Sequence, residues 1–150
     1  MISRKSIEEF VATKRIAVVG VSKNKAKFGN IVYNELKKKN YSVFAVNKML
    51  DEIEGEKCYK NLDELKTRID AVVCVVPPKQ TEQIVKEANA IEIKHIWMQQ
   101  GSESNSAIEY CKQHGINVIY KECLLMFLEP VKSIHRFHKW LWKILGKLPK

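Results

Sequence analysis

The stretch Ile16-Ala17-Val18-Val19-Gly20-Val21-Ser22, followed by Gly29, constrains the fold more than any other part of the chain. A run of small and β-branched apolar residues ending at glycine reads as a buried strand entering a tight turn. The residues after Gly29 read as a helix. Strand, glycine turn and helix form the opening of a nucleotide-binding βαβ unit, whose helix N-terminus holds phosphate through free backbone N–H groups and the helix dipole. The turn carries Lys23, Lys25 and Lys27, and no acidic residue lies between Gly20 and Glu35. Such a loop suits a ligand richer in phosphate than an ordinary dinucleotide. It is not a GxGxxG fingerprint, so a structural turn bearing solvated lysines stays open beside the binding reading.

The rest of the chain alternates in the same way. The pattern predicts a short helix over 6–13, with Ser6 as N-cap and Glu9 three residues on. Strand 16–19 is followed by a helix over 30–39, strand 41–46 and a short helix over 62–65. Residues 71–76 form a continuous apolar run stopped by Pro77-Pro78, the mark of a strand buried on both faces. A helix over 81–90, strand 95–99, a helix from Ser104 or Ser106 to His114 closed by Gly115, and strand 117–120 complete the series. Five strands separated by helical segments predict one open parallel sheet covered on both faces.

Composition narrows the setting. At 150 residues the chain suits one domain with a real core, and its 45% hydrophobic and 29% charged content is that of a globular protein. No apolar run approaches the ~18 residues of a membrane span, and the first thirteen residues lack a secretory h-region. Cys58, Cys74, Cys111 and Cys123 are scattered without a CxxC pair, which fits free thiols in a reducing cytoplasm rather than disulfides or a metal site. The net charge of +9 is local. Residues 131–150 hold six Lys/Arg and no acids, leaving 20 basic against 17 acidic residues before them. That distribution weakens the case for nucleic-acid binding.

In a sheet of this type ligands bind outside the carboxyl ends of the strands. The candidate binding residues therefore lie on one rim: Gly20, Val21, Ser22, Lys25, Lys27, Phe28 and Gly29 after the first strand, and Asn47 and Lys48 after the second. Pro77 and Pro78 follow the third strand, Gln99 and Gly101 the fourth, and Cys123 the fifth. An NAD site expects Asp or Glu after the second strand to hold the ribose. Asn47-Lys48 stands there instead, which disfavours NAD and tolerates a 2′- or 3′-phosphate. Coenzyme A joins a pyrophosphate to a 3′-phosphate, and three loop lysines would offset part of that charge. The prolines are either strand terminators or a rigid apolar wall. Trp97 and Met98 suit the core. Cys123 is either an inert buried thiol or one placed near a ligand thiol.

These residues together resemble the small, stand-alone CoA-binding domain proteins, whose Rossmann-like domain is similar to the N-terminal domain of the succinyl-CoA synthetase α-subunit. The likeness rests on IAVVGVS, Gly29, YSVFAVN, Gly55 with Tyr59-Lys60-Asn61-Leu62, the strand ending at Pro77, WMQQG and GINVIYKEC, in order over residues 13–128. It implies a five-stranded parallel sheet in the order 3-2-1-4-5. It also implies binding of coenzyme A or an acyl-CoA without a reaction of its own, with phosphates near residues 20–29, adenosine near Asn47 and Pro77, and Gln99 to Gly101 on the same rim. Asn47-Lys48 replaces the family's frequent Asn-Pro. Lys121-Glu122-Cys123 stands where Asp before Arg-Cys is common. An NADP-linked oxidoreductase and a CoA-dependent transferase subunit remain the enzymatic alternatives.

The tail is a separate problem. On a helix, Val131, Ile134, Phe137, Leu141, Ile144, Leu145 and Leu148 fall on one arc, opposite Lys132, Arg136, Lys139, Lys143 and Lys147. This predicts a basic amphipathic C-terminal helix over 131–150, appended to a CoA-binding unit over 1–130. Three roles stay open: a helix packed on the sheet or on a second subunit of a homodimer, a peripheral membrane helix, or a contact for nucleic acid or an acidic partner.

Overall fold

The computed structural model describes residues 2–128, so the expected amphipathic helix over 131–150 lies outside the described residues. Helix α1 (Arg4–Val11) begins the chain. Its N-cap is Ser3, whose side-chain oxygen accepts the Ser6 N–H at 3.0 Å; Ser6, the expected cap, is already inside the helix. Arg4 and Glu8, one turn apart, add an ion pair at 2.8 Å. The helix buries Phe10 completely.

Seven strands follow: β1 (Arg15–Val19), β2 (Ser42–Val46), β3 (Glu52–Ile53), β4 (Glu56–Tyr59), β5 (Ala71–Cys74), β6 (His95–Met98) and β7 (Asn117–Ile119). They form one sheet in the order β3-β4-β2-β1-β5-β6-β7, parallel except for the β3–β4 hairpin. The expectation of five strands in the order 3-2-1-4-5 is corrected on both counts. The strand beginning at Ala71 pairs with β1, Val18 opposite Val73, and not outside β2. The place beyond β2 belongs to β4, with Ala45 opposite Cys58. The hairpin turns at Glu54 and Gly55, both with positive φ, the backbone a two-residue turn needs.

Alternation along the strands divides the core. Ile16, Val18, Val73, Trp97 and Ile119 face one side, where α1 and α2 (Phe28–Lys38) pack through Phe10, Val32, Tyr33 and Leu36. Ala17, Val72, Cys74, Ile96 and Met98 face the other, under α3 (Pro78–Ala90) and α4 (Asn105–Gln113). All four residues of β5 are buried, as a central parallel strand requires. Trp97 is fully buried, meets Phe10 edge-on at 5.2 Å between ring centroids, and donates its indole N–H to the Glu122 carbonyl at 3.0 Å. Trp97 and Met98 are core residues, as their pattern suggests.

Helix boundaries shift toward the rim. α2 starts two residues before the expected point, so Gly29 sits inside its first turn. α3 starts at Pro78 with Pro77 as its N-cap, so the prolines open the helix and do not merely end the strand, which stops at Cys74. Proline suits the first helical position because its missing N–H would be unpaired there anyway. Ser104 caps α4, its side-chain oxygen accepting the Ala107 N–H at 3.1 Å, and Gly115 with φ +67° follows the helix end. At the opposite ends of the strands, Arg15 clamps Asp70 with two hydrogen bonds of 3.0 and 2.7 Å and donates a third to the Thr67 carbonyl, joining β1 to the approach to β5.

Candidate functional site

The rim begins with two glycines that no other residue could replace without movement. Gly20 has φ +123°, and a Cβ there would lie 2.1 Å from the Val75 carbonyl oxygen. A Cβ on Gly29 would lie 2.2 Å from the Gly20 carbonyl oxygen. The first turn of α2 thus rests directly on the end of β1.

Two asparagines then fix the loops. Asn30 is fully buried; its amide donates to the Ser22 carbonyl at 2.7 Å and its oxygen accepts the Ser22 N–H at 2.8 Å. Asn47 donates to the Val21 carbonyl at 2.7 Å and accepts the Met49 N–H at 2.8 Å. The side chain after β2 therefore ties the β1 turn to the β2 loop. A carboxylate at this position would lack the donor for Val21, which gives Asn47 a structural reason besides ligand choice.

Beyond Ser22 the loop is held by its own short-range bonds. The Asn24 N–H reaches Ser22 Oγ at 3.1 Å, and the Ala26 N–H reaches Asn24 Oδ1 at 3.0 Å. Lys23, Lys25 and Lys27 are exposed. Lys27 is the N-cap of α2 and makes no side-chain cap bond, leaving the helix end without a competing acceptor from its own cap residue.

A cleft of about 600 Å³ opens at the carboxyl ends of β1, β2 and β5. Val19, Gly20, Val46, Val76 and Ile84 contribute its apolar surface, and Lys48, Lys60, Lys79 and Glu87 its charged groups. This is the point where the strand order reverses about β1, the place where open α/β sheets bind their ligands. Of the sequence-predicted residues, Gly20, Asn47 and Lys48 line this cleft. Val21 is buried beneath the turn, Phe28 and Gly29 open α2, and exposed Pro77 and Pro78 open α3.

The far end of the rim is built differently. Gln99 is 2% exposed, and its side-chain oxygen accepts the Leu124 N–H at 3.2 Å. Gly101 is exposed at φ +91° and its N–H meets the Glu103 carboxylate at 2.9 Å. The Cys123 thiol is buried, and burial pushes its pKa up, against smaller opposing effects of Gln99 and backbone N–H groups. Such a thiol is poorly prepared as a nucleophile. Cys111 is raised further by burial, to about 12.

Several site residues escaped the pattern. Lys79, Gln80, Gln83, Ile84 and Glu87 reach the cleft from α3 at helical spacing. Their signal was position, the first turns of a helix that starts at the rim. Lys60 and Asn61 arrive through β4, and the Lys60 ammonium pairs with Asp51 at 2.7 Å, which holds that carboxyl below its usual range. Ser102, 3% exposed, accepts the Val76 N–H on its hydroxyl oxygen at 3.0 Å and so braces the turn into α3.

A mostly parallel sheet, helices on both faces, a glycine turn and a cleft at the reversal point define a Rossmann-like α/β protein. Residues 14–129 match the CoA binding domain family, and the chain belongs to that family. It is 33% identical over 119 residues to an ADP-forming acetate–CoA ligase of Methanocaldococcus jannaschii, covering 74% of this chain and 17% of the ligase. It is 29% identical to YneT, an uncharacterized protein of Bacillus subtilis, covering 81% of this chain and 91% of that one. A conserved hypothetical protein from Pyrococcus furiosus, of known structure, is 41% identical with a TM-score of 0.71, over 74% of this chain and 96% of that chain. The chain thus spans under a fifth of the acetate–CoA ligases it matches from Methanocaldococcus jannaschii and Archaeoglobus fulgidus.

Proposed function

We propose that this domain binds coenzyme A or an acyl-CoA along the carboxyl rim of its sheet, as a binding unit without a reaction of its own. The observation that carries the reading is the cationic cleft at the strand-order reversal, in a chain of the CoA-binding family. The pyrophosphate would sit on the turn over 20–29, against the N-terminus of α2 and the lysines Lys25 and Lys27. The 3′-phosphate would face Lys48 and Lys79. Relatives named as acetate–CoA ligases handle CoA by name; since this chain matches only a small part of them, binding and not ligation is what carries over.

The test is calorimetric titration of the reduced protein with CoA, 3′-dephospho-CoA, NAD and NADP. Micromolar CoA binding, weakened by loss of the 3′-phosphate, is the expected result. Changing Lys48 and Lys79 together to Ala should weaken CoA about tenfold, roughly 1.4 kcal/mol, and remove most of the preference over 3′-dephospho-CoA. Preference for NADP with no response to CoA would overturn the proposal.

A further inference from the structure

Met49 is 85% exposed, and among the described residues it is the exposed large apolar side chain. Its place is not arbitrary, because it lines the 600 Å³ cleft. Its backbone is also held: the Met49 N–H bonds Asn47 Oδ1 at 2.8 Å, and the same Asn47 amide donates to Val21 in the β1 turn. A flexible thioether thus stands on a lip anchored to the β1 turn.

The rest of the lining is of another character. Gln80 and Gln83 line the cleft from α3, each with both a donor and an acceptor, and Asn61 lines it from the loop after β4, its oxygen already accepting the Glu64 N–H at 3.2 Å. Val19, Val46, Val76 and Ile84 add apolar surface. An apolar floor, a polarizable lip and amides that both give and accept hydrogen bonds match a flat heteroaromatic base: its faces take dispersion contacts and its edge takes amides. Methionine suits such a face because sulfur–aromatic contacts are favourable and its three torsions adapt to the ring.

We propose that Met49 is a specificity-determining residue that closes over the purine base of the bound ligand, so that within the β2 loop Met49 selects for the base and Lys48 for a phosphate. This rests on the CoA reading above. The base is covered on one face by the Met49 thioether, and the amide side chains of Gln80 and Gln83 approach its edge.

The test combines a spectroscopic signal with an affinity split. Protein labelled with ¹³C in its methionine methyl groups is titrated with CoA, adenosine 3′,5′-bisphosphate and 4′-phosphopantetheine. Loss of one signal in Met49→Leu assigns the Met49 methyl. Ring-current displacement of that methyl to high field by CoA and by the bisphosphate, with none from 4′-phosphopantetheine, is expected. Met49→Gln should weaken adenosine 3′,5′-bisphosphate about fivefold, the size of a sulfur–aromatic contact, and Met49→Leu should restore most of the loss. Wild-type protein that binds CoA with an unmoved Met49 methyl, or with unchanged affinity in Met49→Gln, overturns this inference and leaves CoA binding standing. Wild-type protein that binds none of the three ligands overturns the CoA reading itself, and this assignment with it.

Discussion

At the scale of single residues, the rim is built by groups that hold the backbone and leave ligand chemistry to their neighbours. Gly29 is needed because the α2 turn lies on the Gly20 carbonyl, and Asn30 because the half-buried loop amide and carbonyl of Ser22 both take their partner from it. Gly29→Ala should therefore destabilise the fold by about 2–4 kcal/mol, read as a lowered midpoint in denaturant at unchanged slope. A midpoint within error of wild type would show that α2 can move off β1 freely. The glycines were legible in the sequence as a turn. Asn30 was not, since an Asn in the first turn of a helix looks like any surface polar residue until its burial is seen. Cys123 was legible as a rim residue, yet burial decides its chemistry, and burial of one thiol after a strand is a property of packing that no local pattern carries.

At the scale of elements, β1, β2, β5, β6 and β7 announce themselves through apolar runs, because a strand covered on both faces has no room for charge. The hairpin of β3 and β4 does not, as Glu52, Glu56 and Lys57 are exposed and Ile53, Cys58 and Tyr59 alone turn inward. Missing it also misplaced Ala71–Cys74 beside β2. The Arg15–Asp70 clamp belongs to this scale, since it ties β1 to the approach to β5. The Arg15 hydrogen bonds, ahead of charge attraction, hold the Asp70 carboxyl below its usual value of 3.8, with burial opposing. A depressed carboxylate stabilises the fold above its unfolded pKa and loses that contribution as pH falls through the folded value. Asp70→Asn should accordingly melt below wild type at neutral pH, with the gap closing on acidification below about 3.8. The pair is more than a third exposed, so the gap should be small and should shrink with added salt. A gap independent of pH would assign it to packing instead.

At the scale of the whole molecule, two cores pack on the two faces of one sheet, and the cleft opens beside β1, where the strand order reverses. No helix among the described residues is long and apolar enough to cross a membrane. A ligand bridging the loops after β1 and β2 and the start of α3 binds only the assembled molecule, so its binding free energy adds to stability. CoA at a hundred times its dissociation constant should add roughly 2.7 kcal/mol, raising the melting temperature by roughly 5–10 °C for a chain of this size. 3′-Dephospho-CoA at the same concentration should raise it less. Equal shifts from both, measured by calorimetry, would remove the 3′-phosphate from the interaction. The alternation of strands and helices could be inferred from the sequence; the full lining of the cleft could not, because it comes from four segments far apart in the chain.

The way the β1 turn is fastened has one more consequence. Its grip on the molecule comes from Gly20, Gly29, Asn30 and Asn47, all of which act on backbone or from outside residues 23–27. The lysine side chains in between bear none of that load. Frame and cargo are thus separate vocabularies in this loop, and the charge it presents can be rewritten, one side chain at a time, while the fold beneath it stays the same.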